Sequence, residues 1–149
     1  MAPRSATPNN ASSRILLVDD NENGLKARRA VLEELGYHLT CSNDPAQALD
    51  IFRTEKFDLL VTDYRMPGMD GTEVIKGAKQ VNPEIPVILL SGFVDALGMT
   101  EENTGADAVI QKSNSEVQHL LRAVGRLLRK KKPAASIAKK NVKSARQAG

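Results

Sequence analysis

Apolar residues recur in five short runs: ILLV at 15–18, YHLTC at 37–41, FDLLVT at 57–62, PVILL at 86–90 and DAVIQ at 107–111. Each has strand length. The first, third and fourth are almost continuously apolar, as parallel strands buried on both faces require. The segments between them have helical character. Gly24 to Leu35 sets Leu25, Leu32 and Leu35 on one side and Lys26, Arg29 and Glu33 on others, and it ends at Gly36. Asp44 to Thr54 opens with a capping residue followed by Pro45 in the first turn. Thr72 to Val81 stops near Pro83. Ser115 to Lys131 repeats Val117, Leu120, Leu121, Val124, Leu127 and Leu128 on one face, and Ser113-Asn114-Ser115-Glu116 predicts a capping box at its start. Phe93 to Thr104 is interrupted by Gly98, Asn103 and Thr104, so a short or mobile helix is expected there.

Strict alternation of strands and helices predicts an α/β domain with a parallel sheet covered on both faces. In such sheets the ligand site lies beyond the carboxyl ends of the strands, where strand order reverses. Four of the runs end on residues capable of chemistry: Asp19-Asp20, Asp63, Ser91 and Lys112. Taken singly, each has an ordinary structural explanation, as a helix cap, a turn residue or a solvated charge. Together they meet at one sheet edge. Three carboxylates there repel one another by roughly 4 kcal/mol per pair at ~4 Å and an effective dielectric of ~20. Lys112 offsets one charge. A divalent cation with oxygen ligands and retained water would offset the other two, which predicts Mg²⁺.

The remaining composition narrows the setting. The single Cys41 excludes an internal disulfide and fits a reducing compartment, so a cytoplasmic location is expected. Cys41 with His38 and His119 falls short of a zinc site. Aromatics are 3% of the chain, too few for stacked-base recognition. No apolar run approaches the ~20 residues of a membrane span. The net charge of +3 hides an asymmetry. Residues 14–128 carry 12 basic and 18 acidic side chains, whereas 129–149 carry 8 basic and no acidic ones. Residues 1–13 read as a disordered leader and 129–149 as a disordered basic tail. The alternative for the tail is an electrostatic arm toward an acidic partner, nucleic acid or an anionic membrane. Nothing in it reads bases, so sequence-specific nucleic-acid binding is not expected.

The motifs ILLVDD, LLVTDYRMPGMDG, VILLSG and GADAVIQK make residues 14–128 resemble the receiver domain of bacterial two-component response regulators. That resemblance implies a five-stranded doubly wound sheet of flavodoxin-like order 2-1-3-4-5. It implies that Asp63 is the phosphoacceptor, taking a phosphoryl group from a sensor histidine kinase or a phosphotransfer protein. Asp20 would bind Mg²⁺ directly, Asp19 through water, and the backbone carbonyl of Arg65 would be a further ligand. Lys112 and Ser91 would contact the phosphoryl group. The protein would then not be a conventional enzyme, but would catalyse its own phosphorylation and dephosphorylation. Output would pass to a downstream protein on the face formed by residues 93–128, and a dimer is compatible with the sequence.

Two positions depart from the family pattern. Lys112 is followed by Ser113 where the family has a cis proline, and Val109 stands where it has an inward-swinging Tyr or Phe. Arg65 and Phe93, each two residues past a site residue, would flank the path of the hydrolytic water. Two competing functions are a receiver-like binding module that no longer uses phosphate and binding of nucleic acid or an acidic partner through the basic tail. An aspartate-nucleophile phosphatase would place its two Asp one residue apart, and Asp19 and Asp20 are adjacent.

Overall fold

A computed structural model describes residues 13–130. The expected leader, apart from Ser13, and the expected tail beyond 130 lie outside the described residues. Five strands form one parallel sheet: β1 (Arg14–Val18), β2 (His38–Ser42), β3 (Leu59–Asp63), β4 (Val87–Ser91) and β5 (Ala108–Gln111). Their order is β2-β1-β3-β4-β5, as expected. The helices are α1 (Glu22–Glu34), α2 (Pro45–Thr54), α3 (Gly71–Val81), α4 (Val94–Leu97), α5 (Glu101–Thr104) and α6 (116–130). The last one lies within the Ser115–Lys131 span expected for that helix.

Alternation along each strand divides the core between two faces. Ile15, Leu17, Leu59, Val61, Ile88 and Leu90 pack against Leu25 and Leu32 of α1 and Leu120, Val124 and Leu127 of α6. Leu16, Val18, Leu60, Val87 and Leu89 pack against Ala48, Leu49 and Phe52 of α2 and Val74, Ile75 and Ala78 of α3. Both faces of β1, β3 and β4 are therefore dry, which explains why those strands lack polar alternation. Two residues expected on apolar helix faces are exposed instead, Leu35 at the end of α1 and Val117 in the first turn of α6.

Local chemistry sets the helix ends. The Asn21 side chain accepts from Gly24 N at 2.8 Å, and the chain leaves α1 through Gly36 at φ 98°. Asp44 caps α2 by accepting from Ala46 N at 3.0 Å, with Pro45 in the first turn. Asp70 and Glu73 form a full capping box on α3. The capping box expected at α6 does not form as such: Ser113 Oγ accepts from Ser115 N, and Glu116 turns to Arg28. The weak helical signal of 93–104 resolves into two single turns, α4 and α5, broken at Gly98, whose φ is 62°.

Candidate functional site

The loops after β1, β3 and β4 leave the same edge of the sheet, so residues far apart in sequence meet there. Asp19, Asp20 and Asp63 bring carboxylate oxygens within 4.8 Å of one another. Asp19 and Asp63 are buried and Asp20 is exposed at the lip. Lys112, just past β5, reaches Asp63 Oδ1 at 2.5 Å. Ser91, at 1% exposure, closes β4 and accepts from Phe93 N at 2.9 Å through its hydroxyl. The sheet thus gathers all five side chains that the strand ends nominated. No peptide bond among the described residues is cis, so Lys112 joins Ser113 in trans.

The electrostatics follow from burial. Loss of water pushes the Asp63 carboxyl above its ordinary value; the hydrogen bond from Lys112 opposes the rise and the neighbouring Asp19 adds to it. A second cation also enters the site. Arg28 of α1, 8% exposed, donates from Nη1 to Asp19 Oδ2 and from Nε to Glu116 Oε2 at 2.6 Å. Burial disfavours its charge, but Glu116 and then Asp19 more than offset that and hold the guanidinium firmly protonated. The signal for it in the sequence was position. Arg28 falls three residues after Leu25 and four before Leu32, on the stripe that packs against the sheet.

This changes the charge count without changing its outcome. Asp19, Asp20, Asp63 and Glu116 oppose Lys112 and Arg28, leaving two negative charges. The donor set is all oxygen, one carboxylate is open to water, and the residual charge equals that of a divalent cation. These residues fit Mg²⁺.

The loop carrying Met66-Pro67-Gly68 folds back beside Asp63. Gly71 N donates to Tyr64 O at 2.7 Å, Met66 is buried, and Gly68 takes a φ of 84°. Arg65 is exposed and sets its guanidinium over the Phe93 ring, 4.6 Å from the centroid. This contact joins the loop after Asp63 to the loop after Ser91. Val109 is half-buried and packs with the core on the α2 and α3 side of the sheet.

A five-stranded doubly wound sheet with an acidic triad and a lysine at its carboxyl edge defines a phosphotransfer receiver as a class. Residues 15–125 match the response regulator receiver domain, and the chain belongs to that family. The response regulator receiver protein CpdR of Brucella abortus is 29% identical over 115 residues, covering 77% of this chain and 96% of that protein. The transcriptional regulatory protein ZraR of Klebsiella oxytoca is 39% identical over 79 residues, 53% of this chain but only 18% of that longer protein. The response regulator TrrA of Thermotoga maritima, solved in complex with Mg²⁺-BeF, superposes with a TM-score of 0.69 at 29% identity, over 77% of this chain and 98% of that one. The chain is thus a two-component receiver, a class that exchanges phosphoryl groups with histidine kinases or phosphotransfer proteins. Among the described residues no helix is long and apolar enough to cross a membrane.

Proposed function

We propose that Asp63 is the residue that carries the phosphoryl group. The observation behind this is its setting, a buried carboxylate at the end of β3 paired with Lys112 and flanked by Asp19 and Asp20. An oxygen of Asp63 attacks the phosphorus of a phosphohistidine. The P–N bond breaks, the imidazole leaves, and an aspartyl phosphate remains. Water later cleaves that acyl phosphate to orthophosphate and restores the carboxylate. A carboxylate is a modest nucleophile, so rate comes from positioning and from neutralising charge.

Lys112 meets the charge on the transferring oxygens. The Ser91 hydroxyl, whose oxygen accepts from Phe93 N, has its own hydrogen to donate to one of them. Asp20, Asp63 and the Arg65 carbonyl would hold Mg²⁺, which would supply further neutralisation of charge. Asp19 already accepts from Asn21 N and Arg28, so it would serve a cation through water. That TrrA was solved in complex with Mg²⁺-BeF supports a Mg²⁺ site in this chain. A sensor histidine kinase or a phosphotransfer protein delivers the phosphoryl group, and a cytoplasmic setting suits that exchange. The output partner docks on the 93–128 face. A groove of about 390 Å³ lies there, between Val94 and Glu101 on one side and His119, Arg122 and Arg126 on the other.

The test is intact-mass spectrometry after incubation with acetyl phosphate and Mg²⁺. The native protein should gain one phosphoryl group and Asp63→Asn none. An equal adduct on both would refute Asp63 as acceptor.

A further inference from the structure

Arg28 links the acidic site to α6. Its guanidinium is forked, with Nη1 on Asp19 and Nε on Glu116, residues 9 and 88 positions away in sequence. All three side chains are largely out of water, with relative side-chain exposures of 9% for Arg28, 1% for Asp19 and 13% for Glu116. Gly24 makes room for the fork. A Cβ there would stand 2.8 Å from Arg28 Nη1 and 3.0 Å from Asp19 Oδ2. Glu116 is the first residue of α6, the helix that walls one side of the output groove.

We propose that Arg28 is a positioning residue that couples cation occupancy of the aspartate site to the first turn of α6. Without a cation, Arg28 is the positive charge on Asp19. A divalent cation at Asp20 and Asp63 draws on Asp19 and repels the guanidinium, which then shifts its weight toward Glu116. Coupling of this kind is reciprocal, so the state of Glu116 sets how strongly the cation binds. This supplies an electrostatic route from site to surface in a chain whose Val109 has no ring to swing. The inference rests on the proposed Mg²⁺ site.

The test is a Mg²⁺ titration of the full chain, followed by amide chemical shifts in nitrogen-15 spectra. In the native protein the amides of residues 116–120 should move with those of the site. Arg28→Gln removes the competing charge, so Mg²⁺ should bind at least about fivefold more tightly, the lower end of typical coupling between sites. The shifts at 116–120 should vanish while those near Lys112 persist. Glu116→Gln leaves the guanidinium charge less balanced and should weaken Mg²⁺ by a similar factor. A fork that only braces the fold would lower the stability of both variants and leave Mg²⁺ affinity alone. If Arg28→Gln does not fold, Glu116→Gln decides, since Glu116 is the least buried of the three. Native affinity in Glu116→Gln, or a native protein that binds Mg²⁺ without moving 116–120, would overturn the coupling. A native protein that does not bind Mg²⁺ would overturn the metal site and the coupling with it.

Discussion

Replacing Gly71 by alanine should destabilise the protein, although helix propensity alone favours the change. Gly71 is the first residue of α3, and its approach to β3 is close. A Cβ there would lie 2.4 Å from the carbonyl oxygen of Asp63, 2.7 Å from Leu89 Cδ1 and 3.0 Å from Tyr64 Cα. Two of the three obstacles are backbone, and Leu89 is fully buried. Comfortable contact begins roughly 1 Å further out, so the start of α3 must retreat. That movement strains the 2.7 Å bond from Gly71 N to Tyr64 O. Overpacking costs about 1–3 kcal/mol, and a weakened hydrogen bond up to about 1 more. The propensity gain returns at most about 1 kcal/mol. The net loss is about 1–3 kcal/mol, which lowers the urea midpoint by about 1 M at a slope of ~2 kcal/mol per M. Gly77→Ala is the control. The nearest neighbours of its Cβ would be Leu49 Cδ1 at 2.8 Å, Cδ2 at 3.2 Å and Cγ at 3.6 Å, a single side chain that can adjust more readily than backbone. That variant should stay near native stability. Because the clash falls on Asp63 itself, Gly71→Ala should also slow labelling by acetyl phosphate, since ~1 Å of misplacement can cost ~100-fold. A Gly71→Ala protein that unfolds at the native urea concentration or above would refute this account of the close approach.

Two further outcomes follow from the site. Burial raises the Asp63 carboxyl, so the folded state holds that proton more tightly than the unfolded chain, and stability is lost as pH rises from the ordinary carboxylate value through the raised one. With chelator present, Asp63→Asn should therefore be more stable than the native protein at pH 7, with the gap closing in acid. Loss of water is the largest cause of the rise and Asp19 adds to it, while the Lys112 hydrogen bond opposes both, so the comparison reads the sign of the gap and its closing in acid. Urea midpoints that track each other across pH would contradict this sign. The second outcome concerns Arg65 and Phe93, whose contact ties the loops beside Asp63 and Ser91 and which we propose crowd the approach of water. Arg65→Asn and Phe93→Glu together should speed phosphoryl loss about tenfold or more, with ~1.4 kcal/mol of barrier for each factor of ten. A double variant with the native lifetime would show that the contact has no part in it.

Strand burial was legible because β1, β3 and β4 are dry on both faces, so their residues carry the signal singly. Asp19, Asp20, Asp63 and Ser91 stand out because each ends or follows such a run and Lys112 because it follows β5, and a parallel sheet sends all those ends one way. The Arg28 fork was not. Its partners lie 9 and 88 residues away, and an arginine among Lys26 and Arg29 looks solvated until its place on the buried stripe is noticed. Glu116 was misread for the same reason. Locally it completes a capping box, but a buried guanidinium without a partner costs more than a frayed helix end. Spacing puts Val117 and Leu35 on apolar faces, yet each sits at a helix end and is exposed. Spacing reports a face. It does not report where the cover stops.

The two broken turns between β4 and β5 differ in kind from the rest of the domain. No residue of α4 is buried, α5 buries only Thr104, and Leu97 is 54% exposed. The segment is held largely by polar clasps. Gln111 binds Gly92 O and Asp95 N, and Asn103 binds Gly98 O. Opening it would uncover little new apolar surface, so it would add little heat capacity and little denaturant dependence. Calorimetry and urea titration would miss the event. Each clasp is worth about 1 kcal/mol net. A ligand preferring the open form by ~3 kcal/mol would therefore shift the open-to-closed ratio more than a hundredfold, while the melting temperature of the sheet stayed nearly where it was.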